Sequence, residues 1–168
     1  MKKIILFISI CAIGICFPVG TKTIGGSTGI TVDFNDDDQT FYFNPRGGIF
    51  VYNNILVEGG LYYNHYKDGD VSNFNGYVYD YSYTQYSFTF GARYFLNNTY
   101  AGLMYQGNPH HSEYNIDDQE RMHLKIGMLT PIATNIYLDY NIDYYWYLKN
   151  DDDDGIMRIE CGVSYFWN

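Results

Sequence analysis

Apolar and polar positions alternate with a period of two along most of the chain after residue 20. That is the repeat of a strand with two unlike faces, not the 3.6 repeat of a helix. Over residues 85–95, one face collects Tyr86, Phe88, Phe90, Ala92 and Tyr94, and the other Gln85, Ser87, Thr89, Gly91 and Arg93. Over residues 136–147, Ile136, Leu138, Tyr140, Ile142, Tyr144 and Trp146 lie on one side. Tyr137, Asp139, Asn141, Asp143 and Tyr145 lie on the other. The alternation predicts eight strands, at residues 24–34, 40–52, 55–66, 85–95, 100–106, 121–130, 136–147 and 156–167. It predicts no helix, linker or second domain beyond the N-terminal segment.

The connections differ in kind. Four are acidic and mostly long: NDDDQ, KDGDVSNFNGYVYDYSYT, GNPHHSEYNIDDQE and LKNDDDDG. The three between them are short: NN, LNNT and PIATN. In an up-and-down antiparallel array, alternate turns fall at the same end. The acidic connections hold 14 of the 19 acidic residues and only Lys67 and Lys149 as bases, so the acid gathers at one rim. The DDDD run at 151–154 is then a solvated loop in that rim. A calcium loop of the EF-hand type started at Asn150 would place Asp152, Asp154 and Gly155 correctly, but Cys161 would occupy the position that requires Glu, with strands as flanks. No metal ligand or cofactor is expected, and divalent-cation binding by the rim stays open.

The two faces are unusual. The polar face carries Arg46, Glu58, Arg93, His123, Lys125, Asp139, Asp143, Arg158 and Glu160, with Gly29, Gly48, Gly60, Gly91, Gly102, Gly127 and Gly162 among them. The apolar face carries Phe41, Phe43, Ile49, Val51, Val57, Leu61, Leu103, Leu124, Ile126, Ile159 and Val163, with almost no charge. Charges of both signs on consecutive strands, with glycines leaving room, suit a narrow polar interior. A solvated outer face requires neither feature. The nine charged residues are therefore expected to form an interior polar network, with His123 a structural hydrogen-bond partner beside Lys125 and Asp139. Tyrosines and tryptophans near the strand ends (Tyr52, Tyr66, Tyr94, Tyr105, Tyr147, Tyr165 and Trp167) are placed as at a membrane–water boundary. Together these features predict an all-β fold, an eight-stranded antiparallel up-and-down transmembrane β-barrel.

Composition agrees with strands: aromatics are 20% of the 168 residues, and tyrosine alone occupies 20 positions. A formal net charge of −9 without a basic stripe excludes an ordinary nucleic-acid partner. Lys2 and Lys3 precede a short apolar run at 4–15, the pattern of a cleavable signal peptide. Domain limits of 1–20 for the signal and 21–168 for the barrel follow. Gly14 and Cys16 allow a cut before Phe17, and a lipid anchor on Cys16 is the alternative. Cys11 and Cys16 lie in the signal, which leaves Cys161, read as a small apolar residue on a strand face, and no disulfide.

The segments NPRGGIFVYNNILVEGGLYY and FTFGARYFLNN resemble small eight-stranded outer-membrane β-barrel proteins, the OmpA/OmpX-like class of Gram-negative bacteria. Pro45, Gly48, Phe50, Asn54, Leu56 and Gly59 are similar to the strand–turn–strand pattern of that class. Arg93, Tyr94 and Phe95 are similar to its next strand end. The C-terminal strand resembles the signal read by the barrel-insertion machinery: Glu160, Gly162, Tyr165 and Trp167, with Asn168 where an aromatic usually comes last. The resemblance implies a cell outer membrane location, outer-membrane lipid and the insertion machinery as partners, and a monomer.

The expected function is an integral outer-membrane barrel with a filled interior. Its acidic loops would serve envelope structure, adhesion or an extracellular ligand or surface partner. Catalysis is not expected. Two alternatives stay open. One is a lipid-modifying barrel enzyme using His110, His111 or Ser112 of PHHSE, although side chains adjacent on a strand point apart. The other is a soluble lipocalin-like carrier with its apolar stripe inward.

Overall fold

The computed structural model describes residues 17–32, 39–67, 72–74, 77–79, 82–107, 110–111, 120–148 and 155–168. The expected signal segment before residue 17 and most of the acidic connections lie outside these residues. Eight strands build one sheet: β1 Lys22–Val32, β2 Gln39–Tyr52, β3 Ile55–Lys67, β4 Ser82–Leu96, β5 Thr99–Gln106, β6 Arg121–Ala133, β7 Ile136–Tyr147 and β8 Ile156–Trp167. Each strand pairs antiparallel with the next, and β1 pairs with β8, so the sheet closes on itself. Closure leaves no strand without a neighbour, which is how a barrel removes its edges. Ser72–Phe74 pairs with Tyr77–Tyr79, and His110–His111 pairs with β4 at Gln85 and Tyr86.

Three two-residue turns close one end, at 53–54, 97–98 and 134–135. Asn54, Asn97 and Asn135 have positive φ there, at 67°, 57° and 62°. Asparagine tolerates the left-handed region better than other side chains, so the NN and TN dipeptides fit these tight reversals. The connection expected at PIATN is shorter than the sequence suggests, because β6 runs through Pro131 to Ala133. Proline donates no hydrogen bond. A register shift at Ile136/Tyr137, opposite Pro131, takes up the irregularity. At the other end, β4 begins at Ser82, three residues before the expected start.

The period-two pattern decides which side chains enter the lumen. On β4, Gln85, Ser87, Thr89, Arg93 and Phe95 are buried, while Tyr86, Phe88, Phe90, Tyr94 and Leu96 are exposed. The same division runs round the barrel. Asp139, Asp143, Glu160 and Arg93 are at most 1% exposed, while Ile159, Leu61 and Ile126 are 79%, 64% and 60% exposed. The polarity is inverted relative to a water-soluble domain, which buries its large aliphatic side chains.

The lumen is layered. Nearest the short turns is an apolar floor of Phe17, Phe50, Leu56, Phe95, Tyr100, Leu129 and Phe166. Residues 17–21, on either side of the expected boundary between 20 and 21, fold back onto the barrel mouth. Above the floor come two ion-paired clusters. A tyrosine layer of Tyr42, Tyr62 and Tyr145 follows toward the long connections.

Candidate functional site

The lower cluster joins Arg46 on β2, Glu58 on β3, Arg93 on β4, Tyr100 on β5 and Asp139 on β7. Arg93 donates to Glu58 at 2.6 Å through Nη2 and to Asp139 at 2.9 Å through Nη1. Arg46 donates to Asp139 at 2.7 Å, and its Nε stands 3.7 Å from Glu58. The Tyr100 hydroxyl donates to the other Asp139 oxygen. Two guanidiniums face two carboxylates, which balances charge where burial would make a lone ion costly. The Arg93 guanidinium also lies 4.7 Å from the centroid of the Tyr100 ring.

The upper cluster joins Lys125 on β6, Asp143 on β7, and Arg158 and Glu160 on β8. Lys125 donates to Glu160 at 2.7 Å and stands 3.8 Å from Asp143. Arg158 donates to Asp143 at 2.7 Å and lies 3.0 Å from Glu160. Here too two cations face two anions. His123 places Nδ1 3.0 Å from Asp143, and its Nε2 is 3.0 Å from Gln106 Oε1, whose amide donates to Ser87 at 2.8 Å. Arg158 donates to the Tyr62 hydroxyl at 2.8 Å and stacks near Tyr42, Tyr62 and Tyr145. Arg121 lies over Tyr145 and Tyr147 at the upper end.

All nine residues expected in the polar network line the lumen, where they divide into two groups. Sequence order suggested contacts between adjacent strands. Arg46–Glu58, Arg93–Glu58, Lys125–Asp143 and Arg158–Asp143 are such contacts. Arg46 in addition reaches Asp139 across the barrel, and Lys125 reaches Glu160 over an intervening strand. Asp139 and His123 belong to different clusters. The β6–β7 register sets Asp143 opposite Lys125 and Asp139 opposite Leu129, so His123 bonds Asp143. The sequence reading missed Tyr100, Gln106, Ser87 and Ser27, whose hydroxyl donates to Glu160 at 3.2 Å, as partners. The phase of each strand puts these positions inward, but only the tertiary fold sets their height.

Several buried polar atoms have no protein partner among the described residues, including both amide atoms of Asn141, Asn44 Oδ1 and Thr89 Oγ1. Groups buried this deeply are normally hydrogen-bonded.

The remaining candidates are dispersed. Glu160 and Gly162 face inward on β8. Tyr165 and Trp167 face outward with stacked rings 5.6 Å apart. Cys161 is exposed on the same outward face. His110 and His111 lie on the short strand beside β4, while Ser112 and Glu113 fall outside the described residues. Among the described residues, no group of three or more His, Cys, Asp or Glu is arranged to hold a metal ion.

These features define a class: a closed, eight-stranded antiparallel β-barrel with an ion-paired lumen and an apolar exterior. No protein-family model matches the chain, and no curated protein matches it.

Proposed function

We propose that the chain is an integral outer-membrane barrel of the OmpA/OmpX-like kind, held by its exterior in lipid and presenting its long acidic connections to the outside. The observation that carries this reading is the inverted polarity. Among the described side chains, the outward face of the strands bears a single charge, Lys22, which lies at the short-turn end opposite Trp167. The exposed apolar run on β4 extends from Tyr86 to Leu96. At about 3.3 Å per residue and a tilt of about 40°, ten residues span roughly 25 Å, the height of the apolar band on a membrane barrel.

The lumen is filled by side chains, so the barrel serves as an anchor rather than an open pore. Its work falls to the loops, in envelope structure, adhesion or capture of an extracellular ligand. The outward rings of Tyr165 and Trp167 suit recognition by the barrel-insertion machinery and a seat at the inner boundary of the membrane. A lipocalin-like carrier needs an apolar cavity, and nothing in the ion-paired lumen favours it.

Cell fractionation with heat-modifiable gel mobility tests the location. Recovery in the membrane fraction, with a fast-migrating unheated band, is expected. Recovery in the soluble periplasm without detergent sinks the reading.

A further inference from the structure

We propose that residues 17–21 form a detachable cork, in which the Phe17 ring seals the short-turn end of the lumen beneath the lower ion cluster. The inference goes beyond the membrane reading, since it concerns access to the barrel interior in whatever surroundings the barrel occupies.

The four even strands each carry a buried apolar residue near the short turns: Phe50, Phe95, Leu129 and Phe166. Three of them donate their backbone N–H to a turn carbonyl: Phe95 to Asn54 at 2.8 Å, Leu129 to Asn98 at 2.7 Å and Phe166 to Asn135 at 2.9 Å. The fourth, Phe50, has no hairpin on its β1 side, because no turn joins β8 to β1. Its N–H donates to the Thr21 carbonyl at 2.9 Å instead. The N-terminal segment thus stands in for the missing turn.

That segment is itself a tight turn. Thr21 N–H donates to the Pro18 carbonyl at 3.1 Å, and Gly20 has φ of +92°, a value glycine adopts without strain. The turn throws Phe17 back into the mouth. Its ring stacks on Phe166 at 4.4 Å and on Phe50 at 4.8 Å, and meets Phe95 and Tyr137 edge-on. Phe17 is 5% exposed although no barrel strand carries it.

The cork is held lightly. Among the described residues, besides ring contacts, it has the Gly20 N–H to Phe50 carbonyl bond, the Phe50 to Thr21 bond, and Thr21 Oγ1 donating to Asn168 at 2.8 Å. A cleft of about 210 Å³ opens beside it, reaching Asn135 and Trp167. A segment that lies outside the barrel's strand ladder opens locally at lower cost than the barrel itself.

The test places a reporter thiol just above the floor. Ser164 is 1% exposed and sits two residues from Phe166 on β8. The full chain carrying Cys11→Ala, Cys16→Ala, Cys161→Ala and Ser164→Cys is folded in detergent micelles and reacted with a small charged methanethiosulfonate. With Phe17 in place, labelling is expected to be slow. Phe17→Ala should accelerate it at least tenfold, and Phe17→Tyr, which keeps a ring, should hold it slow. Equal rates for Phe17 and Phe17→Ala, or fast labelling with Phe17 intact, overturn the cork. Should Phe17→Ala fail to fold, Gly20→Ala is read the same way: it keeps the ring, strains the turn, and supports or overturns the cork by accelerating labelling or leaving it unchanged.

Discussion

Arg93 and Glu58 meet at 2.6 Å across the β3–β4 pair, with both side chains 1% exposed. The pair is bound into a larger unit, since Arg93 also reaches Asp139 and Arg46 completes the quartet. Removing one member leaves an uncompensated charge in a closed lumen, and this has a measurable consequence.

Glu58→Met is expected to destabilise the barrel by about 3–5 kcal/mol, because two guanidiniums then share one carboxylate. Combining it with Arg93→Met should cost less than the sum of the two single changes, by about 0.5–3 kcal/mol. Reversible urea unfolding of the four proteins in detergent or lipid measures this. Strict additivity would show that the two residues do not act as a pair.

Neighbouring residues 88 and 89 face opposite ways, so they should report opposite surroundings. In a Cys11→Ala, Cys16→Ala, Cys161→Ala background, a spin label at Phe88→Cys in bilayers is expected to be relaxed strongly by oxygen, which concentrates in lipid. One at Thr89→Cys should show little relaxation by either oxygen or a water-soluble paramagnetic complex. If Phe88 proves water-accessible, lipid does not contact that stripe.

Gly47 and Gly48 are adjacent in sequence but opposite in constraint. A methyl group at Gly48 would stand 2.5 Å from the Val57 carbonyl and 2.8 Å from Glu58 Cβ. At Gly47 the nearest atom is the Thr23 carbonyl, at 3.5 Å. Gly48→Ala should therefore cost about 1–3 kcal/mol through overpacking. Gly47→Ala should be neutral or stabilise by up to about 1 kcal/mol, because alanine loses less backbone entropy on folding. Urea midpoints of the two variants give the comparison, and equal effects would contradict the inward and outward assignment.

The short turns depend on asparagine. Asn135→Gly should leave stability nearly unchanged or raise it. Asn135→Val, which places a β-branched residue at φ of 62°, should cost about 1–2 kcal/mol. Thermal unfolding in detergent distinguishes them, and a valine variant as stable as the parent would mean that the turn relaxes out of the left-handed region.

Much of the barrel is legible along the chain. The strands at 136–147 and 156–167 are found where alternation places them, because a strand with two unlike faces writes its period directly into composition. The end of β6 is less legible. Pro131 resembles a stop, yet the strand passes it, since a missing donor matters only where the neighbouring strand offers an acceptor. Phe17 was not legible at all as part of the barrel: it follows an apolar run and carries no periodic signal of its own.

The sequence alone determined the eight barrel strands, the two stripes and the alternation of long and short connections, since each depends on neighbours within a few residues, but not the short strands Ser72–Phe74, Tyr77–Tyr79 and His110–His111. Only the tertiary structure decided that Arg46 meets Asp139 across the lumen and that Phe17 fills the open end. These relations depend on closure and strand stagger, which join residues up to 149 positions apart, as Phe17 and Phe166 are. A period of two records which face a side chain takes, but not the height at which it meets its partner.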